Sequence, residues 1–433
     1  MISARNVLLA CAAAHLQIVR LCVYAPAMRP PLLVLLCCTF LVLNLLAFMT
    51  VAAVLPSLIA EWGMSNSRAG WLGGIFFAGY VVAVPVLVPL TDRIPPRRVS
   101  LCACVLGAMA SLGFALLASG FWTGMAFRFL AGVAMAGAYM PTLKILADVL
   151  DDRWRSRASS YYTSVFGIGT AISILAGGAI ADIHGWRWAF AAAGIGNGLA
   201  LAMGLLWLPA GHSDPSVRRG LIVDFRPVFR NRAAMGYILA YAGHLWEGFT
   251  NRIWVVAFLT WVVLKTPGEE MLTTPVVVAT LVALCGVPVS MFAGEWAARH
   301  DRNRVLYRIY AAALATGLAF AFSAFSSLPP TAIAVLAILY GMALYADTGT
   351  VSAGTVSAAD PALRGATMAV HAMLGFVGAT LGPATAGVVL DLAGGRDDPA
   401  AWAAALLVGV AGGIFAALAL RLFGERVPTA RAG

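Results

Sequence analysis

Charged residues are scarce in this sequence. Lysine, arginine, aspartate and glutamate together make up 11% of the 433 residues, whereas they account for roughly a quarter of a soluble globular domain. Hydrophobic residues make up 61%. So little charge excludes an ordinary soluble globule, and we interpret the chain as an integral membrane protein.

Patterns typical of several enzyme classes are also absent. The sequence has no phosphate-binding glycine loop followed by lysine and serine or threonine, no H-E-x-x-H and no G-x-S-x-G. ATP-driven transport and hydrolysis within the membrane therefore lack the residues that they require. The seven cysteines have neither the spacing of metal ligands nor that of disulfide pairs. We expect no enzymatic activity, no cofactor and no metal.

Long apolar runs make up most of the chain. A helix of about 20 residues crosses the hydrocarbon core of a bilayer, and such a helix satisfies its own backbone hydrogen bonds there. The alternating pattern of barrel strands is absent. We predict twelve transmembrane helices, at about residues 31–55, 69–90, 100–120, 124–145, 158–183, 187–209, 235–264, from there to 297, 305–325, 331–358, 364–392 and 402–422.

Arginine is unevenly distributed among the loops between these spans. Alternate loops contain clusters of arginine, while the opposite loops contain little beyond Arg68, Arg187, Lys265 and Arg396. Positive residues accumulate in cytoplasmic loops, so the formal net charge of +10 does not indicate nucleic acid as a partner. We expect both termini to be cytoplasmic. The arginine-rich loops contain Arg93, Arg97, Arg98, Arg153, Arg155, Arg157, Arg218, Arg219, Arg226, Arg230, Arg232, Arg299, Arg302, Arg304, Arg308 and Arg364.

Two of these loops resemble each other. When VPLTDRIPPRR, residues 88–98, is laid over GEWAARHDRNR, residues 294–304, Arg93 falls on Arg299 and Arg98 on Arg304. Such duplication is typical of secondary transporters. The first copy resembles the cytoplasmic loop signature of the major facilitator superfamily, G-x-L-x-D-R-x-G-R-R. Val88, Pro95 and Pro96 depart from that signature.

Further features of the same family recur in register from about residue 31 to 421: Trp62 with Gly70 and Trp71, Arg128 with Gly132, and the run from Gly185 to Trp188. The resemblance implies an all-α integral membrane protein with twelve transmembrane helices in two pseudo-symmetric six-helix bundles. We assign residues 31–210 and 233–424 to the bundles, 211–232 to a cytoplasmic linker and 425–433 to a cytoplasmic tail. We expect residues 1–30 to be an N-terminal extension, either a mis-assigned start that precedes the more natural start at Met28 or a disordered or interfacial tail.

The seventh span is the most polar. It contains GHLWEGFTNRIW, in which His244, Glu247 and Asn251 fall on one face and Arg252 lies at its edge. Ionisable residues inside a membrane are by default functional candidates because burying their charge is costly. Glu247 and His244 could exchange a proton, and Arg252 could bind an anionic substrate or hold Glu247 ionised. The alternative is a structural polar cluster that faces a water-filled vestibule.

Three further candidates lie in other spans. Asp347 in the tenth is a candidate proton or cation site, or else an ion-pair partner of Arg252 or a capping residue at a helix break. His371 in the eleventh is a candidate for coupling or a hydrogen-bonded packing residue. Arg128 in the fourth retains part of a motif that the family associates with proton coupling, so the resemblance implies a role in substrate binding or coupling.

Charged residues in the duplicated loops are candidates for a gate. Such charges can bind helix ends and the opposing half in one conformation and release them in another, although setting the topology would also account for them. Lys144 and Asp148 are four residues apart and should form a local ion pair. The predicted gating residues are Asp92, Arg93, Arg97, Arg98, Arg299 and Arg304.

By resemblance, the chain is a secondary transporter that moves a small organic solute by alternating access, coupled to protons. Arg128, Lys144 and Arg252 favour an anionic or zwitterionic solute. An uncoupled facilitator, a proton-coupled efflux antiporter, and a receptor or assembly factor without turnover remain alternatives. We expect a monomer in the bacterial inner membrane, with solute, protons and lipid as its partners.

Overall fold

A computed structural model describes residues 28–213 and 225–423, and these residues are almost entirely helical, with no strand among them. The expectations about residues 1–27, the middle of the linker and the tail 425–433 lie outside the described residues. The division into bundles at 210 and 233 stays a prediction.

Fifteen α-helices follow one another in the described ranges, together with the 3₁₀ turns Ser323–Phe325 and Pro361–Leu363. The helices are α1 (Pro30–Leu45), α2 (Thr50–Trp62), α3 (Asn66–Leu90), α4 (Pro96–Leu117), α5 (Phe121–Val149), α6 (Asp152–His184), α7 (Trp186–Trp207), α8 (Arg226–Arg230), α9 (Arg232–Lys265), α10 (Pro275–Arg299), α11 (Arg302–Phe322), α12 (Pro330–Tyr345), α13 (Thr348–Ala358), α14 (Arg364–Leu392) and α15 (Pro399–Phe423).

Eleven segments of the described chain are long and apolar enough to cross a membrane. Helices α1 and α2 together form the first of them, and α12 and α13 form the tenth predicted span. The remaining predicted span, the seventh, is α9. It has 34 residues, so it is roughly 50 Å long at 1.5 Å per residue, and its polar middle lowers its hydropathy. The prediction of twelve spans is therefore confirmed.

The first span is interrupted where α1 ends and α2 begins, and side chains from two other helices satisfy the exposed backbone. Arg128 on α5 donates to the carbonyl oxygens of Ala47 at 2.9 Å and Phe48 at 3.2 Å. The hydroxyl of Ser173 on α6 donates to the carbonyl of Leu46 at 2.7 Å and accepts from the amide of Met49 at 2.9 Å. A broken helix in lipid requires such partners because no water can replace its lost backbone bonds.

The main contacts between the first six spans and the last six are those of α3 with α14, of α6 with α10 and of α2 with α9. Along α3, Gly70 and Gly74 face the backbone carbonyls of Pro383 and Thr380 on α14, and a Cβ atom at either glycine would collide with that carbonyl. Small residues permit this close approach of helices in lipid. We call the end of the molecule where α3 begins and α14 ends the sealed end. The opposite end, which carries the duplicated loops, is the arginine-rich end.

Candidate functional site

A cavity of about 700 Å³ lies between the two halves of the molecule. Leu143, Met291 and Met368 line it toward the arginine-rich end. Its walls are mostly aromatic and apolar, and they come from both halves of one chain. The lining includes Phe48, Phe76, Tyr80, Met135, Tyr139, Phe166, Tyr241, Phe249, Tyr345 and Phe376.

Four phenylalanines close the cavity toward the sealed end, and we call Phe48, Phe77, Phe249 and Phe376 the aromatic floor. The rings of Phe77 and Phe249 have centroids 4.2 Å apart, and those of Phe77 and Phe376 are 5.8 Å apart. Phe48 contacts Phe249 edge-on at 6.1 Å. These rings come from both halves and lie beside the close contact of α3 with α14, so they separate the cavity from the sealed end.

Arg252 is the cation at the deep end of this cavity. Its guanidinium lies 5.0 Å from the ring centroid of Phe249 and 4.3 Å from that of Tyr345. Its Nε is buried and has no hydrogen-bond partner. Among the described residues no carboxylate forms an ion pair with Arg252, and none of those lining the cavity is aspartate or glutamate. The pairing of Arg252 with Glu247 or Asp347 that the sequence left open is therefore not the arrangement in this structure.

His244 lines the cavity and contacts Asp347 behind the cavity wall. Its Nδ1 lies 2.7 Å from Asp347 Oδ1, and the side chains are 3% and 2% exposed. The approach is out of line for a hydrogen bond, and the hydroxyl of Tyr310 on α11 is another polar group that faces this carboxylate. Asp347 therefore depends on His244 for compensation of its charge. It precedes α13 but its side chain forms no cap there.

The second ring nitrogen of His244 can act as donor or as acceptor in its hydrogen bond. Its Nε2 lies 3.1 Å from the hydroxyl of Thr348, which in turn lies 3.0 Å from the carbonyl oxygen of Tyr345. A neutral imidazole can accept from Thr348, whereas a protonated one donates to Thr348 while that hydroxyl donates to Tyr345. The contact of Nε2 with Thr348 can therefore be a hydrogen bond in either direction without movement of a heavy atom.

Glu247 points away from the cavity, although it is only three residues from His244. Its Oε1 accepts a hydrogen bond of 2.7 Å from the hydroxyl of Tyr340 on α12, and its carboxyl packs against Gly413 of α15. Three residues rotate an α-helix by about 300°, so the two side chains point roughly 60° apart. Asn251 is also buried outside the cavity lining, and its amide atoms have no hydrogen-bond partner in the described chain.

His371 lines the cavity and is also a packed, hydrogen-bonded side chain. Its Nδ1 lies 3.0 Å from the hydroxyl of Thr355, and its Nε2 lies 3.4 Å from that of Ser352. Its ring stacks on Tyr241 with centroids 3.8 Å apart. These contacts match the packing role that the sequence allowed, and its position at the cavity leaves the coupling role as a prediction.

Arg128 is not part of the cavity lining. Its observed contacts are the two carbonyls at the break in the first span and the ring of Phe76, 4.8 Å from its guanidinium. It therefore supports the backbone from which Phe48 enters the aromatic floor. A direct role in binding or coupling stays a prediction.

Several residues of the first duplicated loop contact other residues of their own half. Asp92 and Asp148 each lie 3.6 Å from the ammonium of Lys144, so the predicted pair of Lys144 with Asp148 is present and Asp92 joins it. Arg97 donates to the carbonyls of Gly204 and Leu205 at the end of α7, at 3.3 and 2.6 Å.

The second duplicated loop is bound locally as well, since Arg299 pairs with Glu295 on its own helix at 2.7 Å. Each of the contacts named here joins residues of one half. A gating role for both loops stays a prediction.

The comparison with known families agrees with this architecture. A family model described as Major Facilitator Superfamily matches residues 36–383. The chain belongs to this superfamily. The members to which it is similar are membrane transporters, and the fold is that of two six-helix bundles.

Relatives within the superfamily are distant. Protein spinster homolog 1 from Homo sapiens is 27% identical over 245 residues, which cover 53% of this chain and 46% of that protein; the chain thus matches less than half of its length. The gentisate transporter of Corynebacterium glutamicum is 24% identical over 361 residues, 78% of this chain and 76% of that protein. Among solved structures, an inward-facing, unoccupied bacterial homolog of the human lysosomal transporter Spinster has a TM-score of 0.74 at 17% identity, covering 92% of this chain and 98% of that one.

Proposed function

We propose that this member of the major facilitator superfamily is a secondary transporter of an amphipathic organic anion. The observation that carries the proposal is Arg252, a cation without an acidic partner in a cavity whose described lining contains no carboxylate. A guanidinium binds carboxylates and phosphates through a planar fork of donors. The anion would therefore complete the contacts that Arg252 lacks.

The rest of the cavity favours an apolar or aromatic body attached to that anionic group. A volume of about 700 Å³ lies within the range of roughly 300 to 1,000 Å³ for sites that bind small organic ligands. Phe249 and Tyr345 flank the guanidinium, and methionines line the approach to it. The similarity to a gentisate transporter supports an organic anion as solute.

Alternating access would expose this cavity to each side of the membrane in turn. The positive-inside rule would assign the arginine-rich end to the cytoplasm, so we propose an inward-facing state with both termini cytoplasmic. Rocking of the two halves about the cavity would close this end and open the sealed end. One copy of the chain supplies both walls, so a monomer is sufficient.

Proton coupling would act through His244 and Asp347. The pair has a net negative charge while His244 is neutral, and it becomes neutral overall when His244 takes a proton. Because the pair borders the same cavity as Arg252, its negative charge would repel an anion there, and protonation would remove that repulsion. Proton and anion then favour each other's binding, which is the requirement for symport.

Substrate class can be tested by the thermal stability of the purified protein. A panel of aromatic and acyl carboxylates is compared with the matching neutral amides, since a ligand that binds the folded state raises its melting temperature. We expect stabilisation by carboxylates and little by amides. Equal stabilisation by both would overturn the assignment of an anion.

Coupling is tested separately in proteoliposomes loaded with no solute. Uptake of a stabilising carboxylate should accelerate when the external side is made more acidic than the lumen. Flux that does not respond to the pH gradient would indicate the uncoupled facilitator, and absence of flux for every ligand that binds would favour a receptor.

A further inference from the structure

A single carboxylate joins the two halves at the sealed end. Asp391 lies at the end of α14 and accepts four hydrogen bonds from the beginning of α3. Its Oδ1 receives the backbone amide of Asn66 at 3.0 Å and the side-chain amide at 2.8 Å. Its Oδ2 receives the backbone amide of Ser67 at 2.7 Å and the hydroxyl at 2.5 Å.

The position of this carboxylate makes the contact favourable. The first amides of a helix have no partner within it, and the helix dipole places partial positive charge at that end. Asp391 satisfies two of those amides on α3, while the Ser65 hydroxyl accepts from the amide of Arg68. Hydrogen bonds with a charged acceptor are also stronger than neutral ones.

The surrounding packing links this contact to the closure of the cavity. A Cβ at Gly387, one turn before Asp391, would collide with the carbonyl of Asn66. Further along α14, Pro383 faces Gly70, and its carbonyl also accepts from the indole of Trp254 at 3.0 Å. Separation of α3 from α14 would have to break the Asp391 bonds first, because they lie at the outermost part of the interface.

The second interface between the halves has no such clamp. Asp182 follows Gly178 by four residues, as Asp391 follows Gly387, and it lies near the end of α6 where that helix passes α10. Asp182 is exposed and forms no hydrogen bond or ion pair in the described part of the chain. The two interfaces therefore have equivalent aspartates, of which only one is bound across the halves.

We infer that Asp391 is a gating residue that holds the sealed end closed and must release α3 before the cavity can open there. The inference rests on the alternating-access transport proposed above. It assigns control of the outer gate to the pair α3 and α14, with Asp391, Asn66 and Ser67 as its residues. Asp182, the corresponding aspartate at the interface of α6 with α10, has no part in this gate.

The experiment measures access to the closed interface from the sealed side. Thr380 faces Gly74 in that interface, is 7% exposed, and is close in size to cysteine. Thr380→Cys is introduced into a variant in which the native cysteines are replaced by serine or alanine. The rate at which the new cysteine reacts with a membrane-impermeant thiol reagent is then measured in right-side-out vesicles. Asp391→Asn should accelerate labelling by roughly tenfold, which corresponds to a loss of about 1.4 kcal/mol when the charged acceptor becomes a neutral one.

Two further variants make the result specific. Asp182→Asn is the matched control and should leave the labelling rate unchanged, while Ser67→Ala removes one of the four bonds and should give a smaller acceleration. Wild-type labelling rates in both Asp391→Asn and Ser67→Ala, or equal acceleration by Asp182→Asn, would overturn the inference. Labelling does not require solute flux, so loss of flux with the expected labelling pattern would count against the proposed function alone.

Discussion

His244 Nδ1 lies 2.7 Å from Asp347 Oδ1, and this contact joins the cavity wall to a carboxylate that does not itself reach the cavity. The seventh and tenth spans thereby share one titratable unit. Burial makes an isolated charge costly in a membrane protein, so each residue constrains the charge of the other. We propose that this pair links proton binding to the electrostatics of the cavity.

Replacement of Asp347 by asparagine should abolish the response of uptake to a pH gradient. The substitution removes the buried charge that a proton on His244 would balance, while the volume of the side chain is kept. Because Asp347 is outside the cavity, binding of the carboxylate should persist. Flux with and without a pH gradient, together with ligand-induced stabilisation, measures the two effects.

The matched control for this variant is Asp397→Asn, at an exposed loop position. It should leave both measurements unchanged. A gradient response that survives in Asp347→Asn would remove the pair from the coupling mechanism.

Arg252→Met should weaken carboxylate binding by at least about tenfold, since hydrogen bonds to charged groups contribute about 1.5–3 kcal/mol. Methionine keeps the apolar stem against Phe249 and Tyr345 but removes the charge and the donors. Arg252→Lys keeps the charge and loses the planar fork, so an intermediate loss is expected. Titration of the melting temperature with ligand concentration gives the affinities. Unchanged affinity in Arg252→Met would exclude this residue from the binding site.

Arg128→Met should lower stability, because it leaves the carbonyls of Ala47 and Phe48 at the helix break without their donors. A buried acceptor left without a partner costs about 1–3 kcal/mol. Denaturation of the purified protein without ligand measures the effect. Arg299→Met is a control, since Arg299 is exposed and its bonds go to the side chain of Glu295 on the same helix. An equal loss of stability in both variants would show that the buried contacts of Arg128 stabilise the protein no more than a surface ion pair does.

Part of the molecule could be predicted from sequence because the signals are local. Apolar length predicted the spans, and the polar run in the seventh span identified His244 and Arg252, both of which line the cavity. The resemblance to a duplicated transporter family indicated the arrangement of the helices in two bundles.

The rest depends on contacts between distant parts of the chain. The sequence from Leu45 to Met49 contains no proline or glycine to mark a break, and the break is supported by Arg128 and Ser173 from other helices. The spacing of Glu247 and His244 indicated one face, but Tyr340 from α12 and the space beside Gly413 hold Glu247 on another. The contact between Asp391 and α3 likewise could not be predicted from a local pattern. Its donors are backbone and side-chain groups that lie far from Asp391 in the sequence.

Gly74→Ala should shift the protein away from the closed state of its sealed end. A Cβ at this position would collide with the carbonyl of Thr380 on α14, which is backbone and cannot rotate away. The helices α3 and α14 would have to separate, so the Thr380→Cys reporter should react faster. Gly198→Ala on α7 is the matched control, because no atom lies within 4 Å of its added Cβ. Alanine is favoured over glycine in a helix by up to about 1 kcal/mol, so the control should be at least as stable as the wild type. Wild-type reactivity in Gly74→Ala would mean that the close approach of α3 and α14 does not keep the sealed end shut.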